Sequence, residues 1–226
     1  MYRFLEEEAK KQLNIEGIAQ KAIPLLEEGS DPGRVDSDWI TNFFDKSRIV
    51  SDNDMQILWA KVLAGEANAP GAFSRKTVNL LGDLDKNDAE LFAILCRFGW
   101  VIDRASPLIP LIPLILDVSE RIYNDNGIYF ATLSHLENLG LIQYGSLTGY
   151  SWKELPKSIV ASYQGMDIQL TLPNESSNSL GVGKVLLTRA GRELSQLCDS
   201  KPVDGFFDHV YDKWAELSLV PKREAK

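Results

Sequence analysis

The chain has 226 residues, of which 44% are hydrophobic and 25% are charged, values close to the average for globular proteins. This composition excludes a collagen-like repeat, a disordered polymer and a small disulfide-stapled domain. The 24 basic and 32 acidic side chains give a formal net charge of −8. Because an acidic surface repels the phosphate backbone at long range, nucleic acid is not an expected partner.

The first hundred residues have the pattern of a helical bundle. Apolar side chains recur at helical spacing over residues 2–27, where Pro24 is expected to bend the segment near its end. Four further helices follow after short loops, and the residues expected to cap them are Asp36, Ser51, Ser74 and Asp85. Residues 1–104 are therefore predicted to form a helical bundle.

The sequence changes character after Gly99. Residues 107–116 contain three prolines among about ten apolar residues, too few to cross a membrane, and are expected to lie extended over an apolar surface. A helix capped by Thr132 and ended by Gly140 is expected next. The runs expected to form strands are Leu141–Tyr144, Ser158–Tyr163, Met166–Leu172 and Lys184–Leu187.

The order of these elements resembles a winged-helix domain. The polar tract 173–179 would be a loose wing tip, and Thr188 is expected to cap a helix. A terminal helix is expected to dock on the core through Phe206, Phe207, Val210, Tyr211 and Trp214. Residues 105–226 are thus predicted to be a winged-helix-like region with a small antiparallel sheet and a C-terminal helix. The fold class is mainly α (α+β).

The side chains that carry common chemistries are scarce. The two histidines, His135 and His209, are far apart in the sequence, and Cys96 and Cys198 lie in apolar company that is typical of small buried residues. Neither a nucleophile elbow nor a phosphate-binding loop is present in the sequence. No metal, no cofactor and no catalytic residue is predicted. The N-terminus lacks the features of an export signal, so a cytoplasmic location is expected.

The helix in the recognition position of a winged helix is poorly suited to reading DNA. Residues 132–139 contain neither Arg nor Lys, and residues 125–198 contain five basic and six acidic side chains. Protein contact is therefore favoured over DNA binding. A cluster of basic residues on one exposed face would favour a transcriptional regulator instead. Its members would be Lys153, Lys157, Arg189 and Arg192.

The most unusual segment is 58–74. Glu66 and Asn68 could form a polar site beside Trp59, with glycines that let a ligand approach the backbone. The alternative is a helix end followed by a shaped turn, because each residue also has an ordinary local role there. The candidate functional or interface residues are Trp59, Gly65, Glu66, Asn68, Pro70, Gly71 and Ser74.

Residues in and around this segment carry a family resemblance. They resemble the uncharacterised bacterial domain of unknown function 2806, most specifically over 38–44, 50–60, 63–74 and 88–92, and more weakly over 136–142 and 187–194. The order of elements is more distantly similar to the abortive-infection alpha family. These resemblances imply a bacterial protein connected to phage defence, and they imply no catalytic residues.

Three functions are compatible with these observations. The first is a non-enzymatic interaction protein, in phage defence or a stress response, that acts through a protein partner or through self-association. Abundant aromatic residues and the lack of reactive side chains favour it. The second is a winged-helix transcriptional regulator, and the third is a hydrolase with a site near Glu66.

Overall fold

A computed structural model describes residues 2–102, 111–198 and 201–221. The chain divides into two compact units, one made of Met1–Ala89 with Arg189–Leu197 and the other of Glu90–Thr188 with Cys198–Lys226. Helices make up about half of the chain, and the strands form small antiparallel sheets, which confirms the predicted α+β class. The division into domains after residue 104 stays a prediction.

The first unit is built from helices packed around aromatic residues. Its helices are α1 (Tyr2–Ala22), α2 (Ser37–Ser47), α3 (Asn53–Asn68), α4 (Arg75–Asp83), the start of α5 (Lys86–Cys96) and α8 (Arg189–Ser195), with 3-10 turns at Ile23–Leu25 and Pro32–Arg34. Phe43 stacks on Trp39 and meets Trp59 edge-on, with ring centroids 5.1 Å apart in both pairs. All three side chains are buried, so they form the core between α2 and α3.

Most of the predicted helix starts are confirmed. The side chains that accept the expected backbone amide are Asp36 (from Trp39, 2.8 Å), Ser74 (from Thr77, 3.3 Å) and Asp85 (from Asp88, 2.9 Å). The prediction for Ser51 was wrong, because the neighbouring Asp52 carboxylate accepts the first amides of α3. The prediction for Thr132 was also wrong, because α7 begins earlier, at Phe130, and the Thr132 hydroxyl donates to the Gly127 carbonyl.

The second unit contains all the strands of the described residues. They are β1 (Gly99–Ile102), β2 (Ile112–Pro113), β3 (Ile142–Tyr144), β4 (Tyr150–Leu155), β5 (Ser158–Tyr163), β6 (Met166–Thr171), β7 (Asn178–Gly183) and β8 (Val185–Leu187). Its helices are the rest of α5, α6 (Arg121–Asn124), α7 (Phe130–Asn138) and α9 (Phe206–Glu216). One sheet has the order β2-β1-β5-β6, and two further antiparallel pairs are β3-β8 and β4-β7.

Two parts of this unit differ from the sequence prediction or extend beyond it. The expected loose tip ends before β7, which starts at Asn178 and pairs with the unpredicted strand β4. The Asn178 amide donates to the carbonyls of Leu155 and Asn174, so this residue closes the turn from within the strand. Of the proline segment, Ile112–Pro113 forms an edge strand, as its composition favours, and residues 103–110 lie outside the described residues.

An aromatic cluster forms the core of the second unit. The wholly buried Trp100 stacks on Tyr163 at 5.2 Å and meets Trp214 of α9 edge-on at 4.9 Å. The Tyr163 hydroxyl accepts a hydrogen bond from the Val203 amide and donates one to the Arg97 carbonyl. Of the five apolar residues predicted for the terminal helix, Phe206, Val210 and Trp214 are buried in α9, whereas Phe207 and Tyr211 are partly exposed.

The two cysteines are not isolated from each other. The Cys96 thiol is fully buried, whereas Cys198 is partly exposed, contrary to its predicted burial. A hydrogen bond with Cys198, together with burial, raises the pKa of Cys96 well above its ordinary value. Cys96 is therefore a protonated thiol at neutral pH. Among the described helices, none combines the length and the apolar character required to span a bilayer.

Candidate functional site

Six of the seven candidate residues lie at the end of α3 or in the loop that joins α3 to α4, and Trp59 lies further back in α3. Helix α3 ends at Asn68, and the Ala72 amide donates to the Ala69 carbonyl at 2.9 Å, which forms a turn. Pro70 and Gly71 are exposed at the tip of this turn. The backbone of Gly71 has a φ of +94° and open space around its Cα. Glycine is thus favoured there by backbone conformation and not by crowding.

Glu66, in the last turn of α3, holds this loop through hydrogen bonds to its backbone. Its side chain is buried, with only 3% of the residue exposed. One carboxylate oxygen, Oε1, accepts the Gly71 amide at 2.6 Å, and the other, Oε2, accepts the Phe73 amide at 2.8 Å. A buried carboxylate needs such charge-assisted hydrogen bonds to offset its lost hydration. Both oxygens of Glu66 are therefore engaged by the backbone of its own loop.

Gly65 lets the loop close against α3. A Cβ at this position would lie 2.7 Å from Cε2 of Phe73, so the Phe73 ring lies directly on the helix backbone. The carbonyl of Phe73 accepts the indole N–H of Trp39 at 2.6 Å. Phe73 is thereby fixed through its ring, its amide and its carbonyl, and its role in the loop is not evident from the sequence.

Asn68 and Glu66 engage different parts of the chain and do not form a common polar site beside Trp59. The Asn68 side chain accepts the Glu27 amide at 3.0 Å and donates to the Leu25 carbonyl at 3.1 Å, which ties the end of α3 to the turn after α1. The Trp59 ring is fully buried, and its indole nitrogen has no hydrogen-bond partner among the described residues. Its observed contact is the edge-on packing with Phe43, which is a core contact.

A second carboxylate, which sequence reasoning missed, holds the other end of the loop. Glu193 of α8 accepts the Ser74 amide at 2.7 Å and the Thr77 hydroxyl at 2.5 Å through Oε2. Its other oxygen accepts from Arg189 at 2.7 Å. Burial raises the pKa of Glu193, but the hydrogen bonds from Thr77, Ser74 and Arg189 outweigh it and hold the pKa below the ordinary value.

We call residues 69–77 with Glu66 and Glu193 the clamped loop. The family resemblance reaches 187–194, but Glu193 lies 119 positions from Ser74, and no local pattern separates it from a surface carboxylate. Both carboxylates are occupied by donors of the loop. No group of three or more potential metal ligands occurs among the residues that the structure describes. The arrangement is suited to holding a rigid turn with its tip, Pro70 and Gly71, at the surface.

The family model for a protein of unknown function, DUF2806, matches residues 1–211. The chain belongs to the DUF2806 family. This match covers the whole clamped loop, including Glu193, and it confirms the resemblance drawn from residues 38–92. No curated protein and no solved structure matches the chain. The more distant similarity to the abortive-infection alpha family stays a prediction, as does the winged-helix assignment of the second unit.

Proposed function

We propose that this DUF2806 protein is a non-enzymatic interaction protein of the bacterial cytoplasm, acting in phage defence or a stress response through self-association or a protein partner. The observation that carries the proposal is a set of exposed apolar side chains in the first twelve residues of α1. Tyr2, Phe4, Leu5 and Leu13 are 86%, 65%, 56% and 66% exposed. Large apolar side chains grouped on one element are typical of contact surfaces.

The clamped loop supports the same proposal. Its exposed tip is fixed by the buried Glu66, and a turn held in one conformation loses little conformational entropy when it is bound. We assign Pro70 and Gly71 to a contact surface and the other candidate residues to its support. A hydrolytic role for Glu66 gains no support from this geometry, because the carboxylate is buried and each of its oxygens already accepts a backbone amide.

Sedimentation velocity over a wide concentration range, combined with affinity capture from host lysate, tests the proposal. We expect either a mass that rises with concentration or a captured protein partner. A strict monomer that captures no protein would contradict it. Glu66→Ala and Asn68→Ala should then weaken binding only in proportion to the stability they remove, whereas a change in any enzymatic activity would favour the hydrolase.

A transcriptional regulator is the second candidate, favoured by the order in which α7 is followed by β3, which pairs with β8. Its electrostatics are unfavourable. Lys157 pairs with Glu175, and Arg189 pairs with Glu193, which neutralises two of the four cations on which the regulator hypothesis depends. Fluorescence anisotropy with duplex DNA distinguishes the two candidates. Tight, salt-sensitive binding at physiological salt would favour the regulator over the interaction protein.

A further inference from the structure

The exposed apolar residues of α1 form an ordered stripe. Successive residues of an α-helix are about 100° apart, so Leu5, Ala9 and Leu13 lie within an arc of about 80°. All three are exposed. The residues that α1 buries, Asn14, Ile18 and Ala22, are centred on the opposite side of the helix. The stripe therefore faces away from the unit to which α1 belongs.

The sequence of this stripe is nearly symmetric about Ala9. Leu5 and Leu13 lie four residues before and after it, three glutamates fill positions 6–8, and two lysines and a glutamine fill positions 10–12. A two-fold axis through Ala9 places Leu5 of one copy beside Leu13 of a second copy. It also places the small Ala9 side chains opposite each other, where two helices can approach closely. The surface is thus self-complementary in an antiparallel pair.

Charge selects the antiparallel arrangement. In such a pair, the glutamates of one helix lie along the lysines of the other, whereas a parallel pair would align glutamate with glutamate. Glu6 and Lys10 lie on the same edge of the stripe, so each faces its opposite in the second copy. The ion pairs of α1 among the described residues join Arg3 to Glu7 and Lys11 to Glu8. Glu6 and Lys10 take part in neither pair and are exposed.

The first half of α1 has room for a second helix. Residues 2–7 are all exposed, and the first buried residue of the helix is Asn14. A helix of 21 residues is about 31 Å long, so roughly 15 Å of it is accessible from several sides. Two such helices would bury less area between them than the typical interface of about 800 Å² per partner. We therefore expect weak, concentration-dependent association.

We propose that two copies of this chain associate through antiparallel pairing of their α1 helices about Ala9. This inference rests on the proposed function and specifies its partner as a second copy of the chain. Leu5 and Leu13 supply the apolar contact, and Glu6 with Lys10 sets the direction of pairing.

Charge exchange within the full-length chain tests the pairing. Glu6→Lys or Lys10→Glu alone sets like charges against each other and should raise the dimer dissociation constant several-fold in sedimentation velocity. The double variant Glu6→Lys/Lys10→Glu should restore association, and an equimolar mixture of the two single variants should form the heterodimer. Salt should reduce all of these differences.

The apolar contact is tested by Leu13→Asp, which should raise the dissociation constant at least ten-fold. Its matched control is Leu147→Asp, since Leu147 is 92% exposed in the second unit, and this control should leave association unchanged. Circular dichroism establishes that each variant is folded. Direction is read separately by disulfide formation on mild oxidation. Chains carrying Leu5→Cys should cross-link to chains carrying Leu13→Cys, whereas Leu5→Cys chains that cross-link to each other would show a parallel pair.

The outcomes separate this inference from the function on which it rests. Association that Leu13→Asp and the charge variants leave unchanged overturns the α1 pairing and leaves the interaction protein in place. A monomer that captures a different protein also overturns the α1 pairing and leaves the interaction protein in place. A monomer without any partner overturns both.

Discussion

Replacing Glu66 by alanine removes the buried support of the clamped loop. The Phe73 amide is buried and loses the Glu66 oxygen as its acceptor, whereas the Gly71 amide lies at the exposed tip and can bond to water. An unsatisfied buried donor costs about 1–3 kcal/mol, and a hydrogen bond to a charged group contributes about 1.5–3 kcal/mol. Because these two figures describe overlapping losses, we expect Glu66→Ala to lower the free energy of unfolding by about 2–4 kcal/mol.

The assay is urea denaturation followed by tryptophan fluorescence, since Trp39 and Trp59 lie in the same unit as the loop. Hydrogen exchange over residues 69–77 should accelerate along with the loss of stability. Glu66→Gln retains one acceptor but directs an amide group at a backbone donor, so its loss should be smaller than that of alanine. Glu90→Ala, at an exposed helical position, is the matched control and should change stability by less than about 0.5 kcal/mol. If Glu66→Ala and Glu90→Ala lower the free energy of unfolding by the same amount, the Glu66 carboxylate does not hold the loop.

Two further predictions concern the same loop. Gly65→Ala drives a Cβ into the Phe73 ring and should lower the free energy of unfolding by about 1–2 kcal/mol. In a double-mutant cycle, Phe73→Leu should relieve that clash and reduce the cost of Gly65→Ala. The cost of Gly71→Ala should stay unchanged in the same background, because it comes from the positive φ of Gly71. Additive losses for Gly65→Ala and Phe73→Leu would refute the contact. The pKa of Glu193 lies below its ordinary value of 4.5 when folded, so its stabilisation is complete above that pH and is lost as the pH falls through the folded-state pKa. Glu193→Gln should accordingly flatten the acid limb of a stability profile measured between about pH 3 and 6, and an unchanged slope would show that the carboxylate is not held as described.

Part of the clamped loop could be read from local sequence. Ser74 was predicted as a cap because a hydroxyl before an apolar helical run satisfies a free amide of the first turn, and it does so. The turn at Pro70 and Gly71 followed from the conformational preferences of those residues. The alternative of a ligand site beside Trp59 depended on which residues surround the Trp59 ring, and the sequence alone does not show this. In the structure, Trp59 packs on Phe43.

The N-cap of α3 shows that a local sequence pattern does not distinguish between two adjacent capping residues. Ser51 and Asp52 are adjacent, both have a suitable acceptor, and the helix begins where the Asp52 carboxylate meets two amides. Strands β4 and β7 were missed for a different reason. Their apolar alternation is interrupted by glycine, serine and asparagine, and they gain stability from pairing with each other across more than 20 residues of intervening chain.

The sequence by itself determined the elements whose causes are local: the helical spacing of the first unit, most of its caps, the apolar face of α9 and the symmetric stripe of α1. Only the tertiary structure decided that Glu193 accepts hydrogen bonds from Ser74 and Thr77. It also decided that the Phe73 ring packs where a side chain at Gly65 would lie, and that Cys96 forms a hydrogen bond with Cys198. The physical reason is the range of the forces. Capping and amphipathicity act between residues a few positions apart, whereas burial and shared hydrogen bonds join residues that only the folded chain brings together.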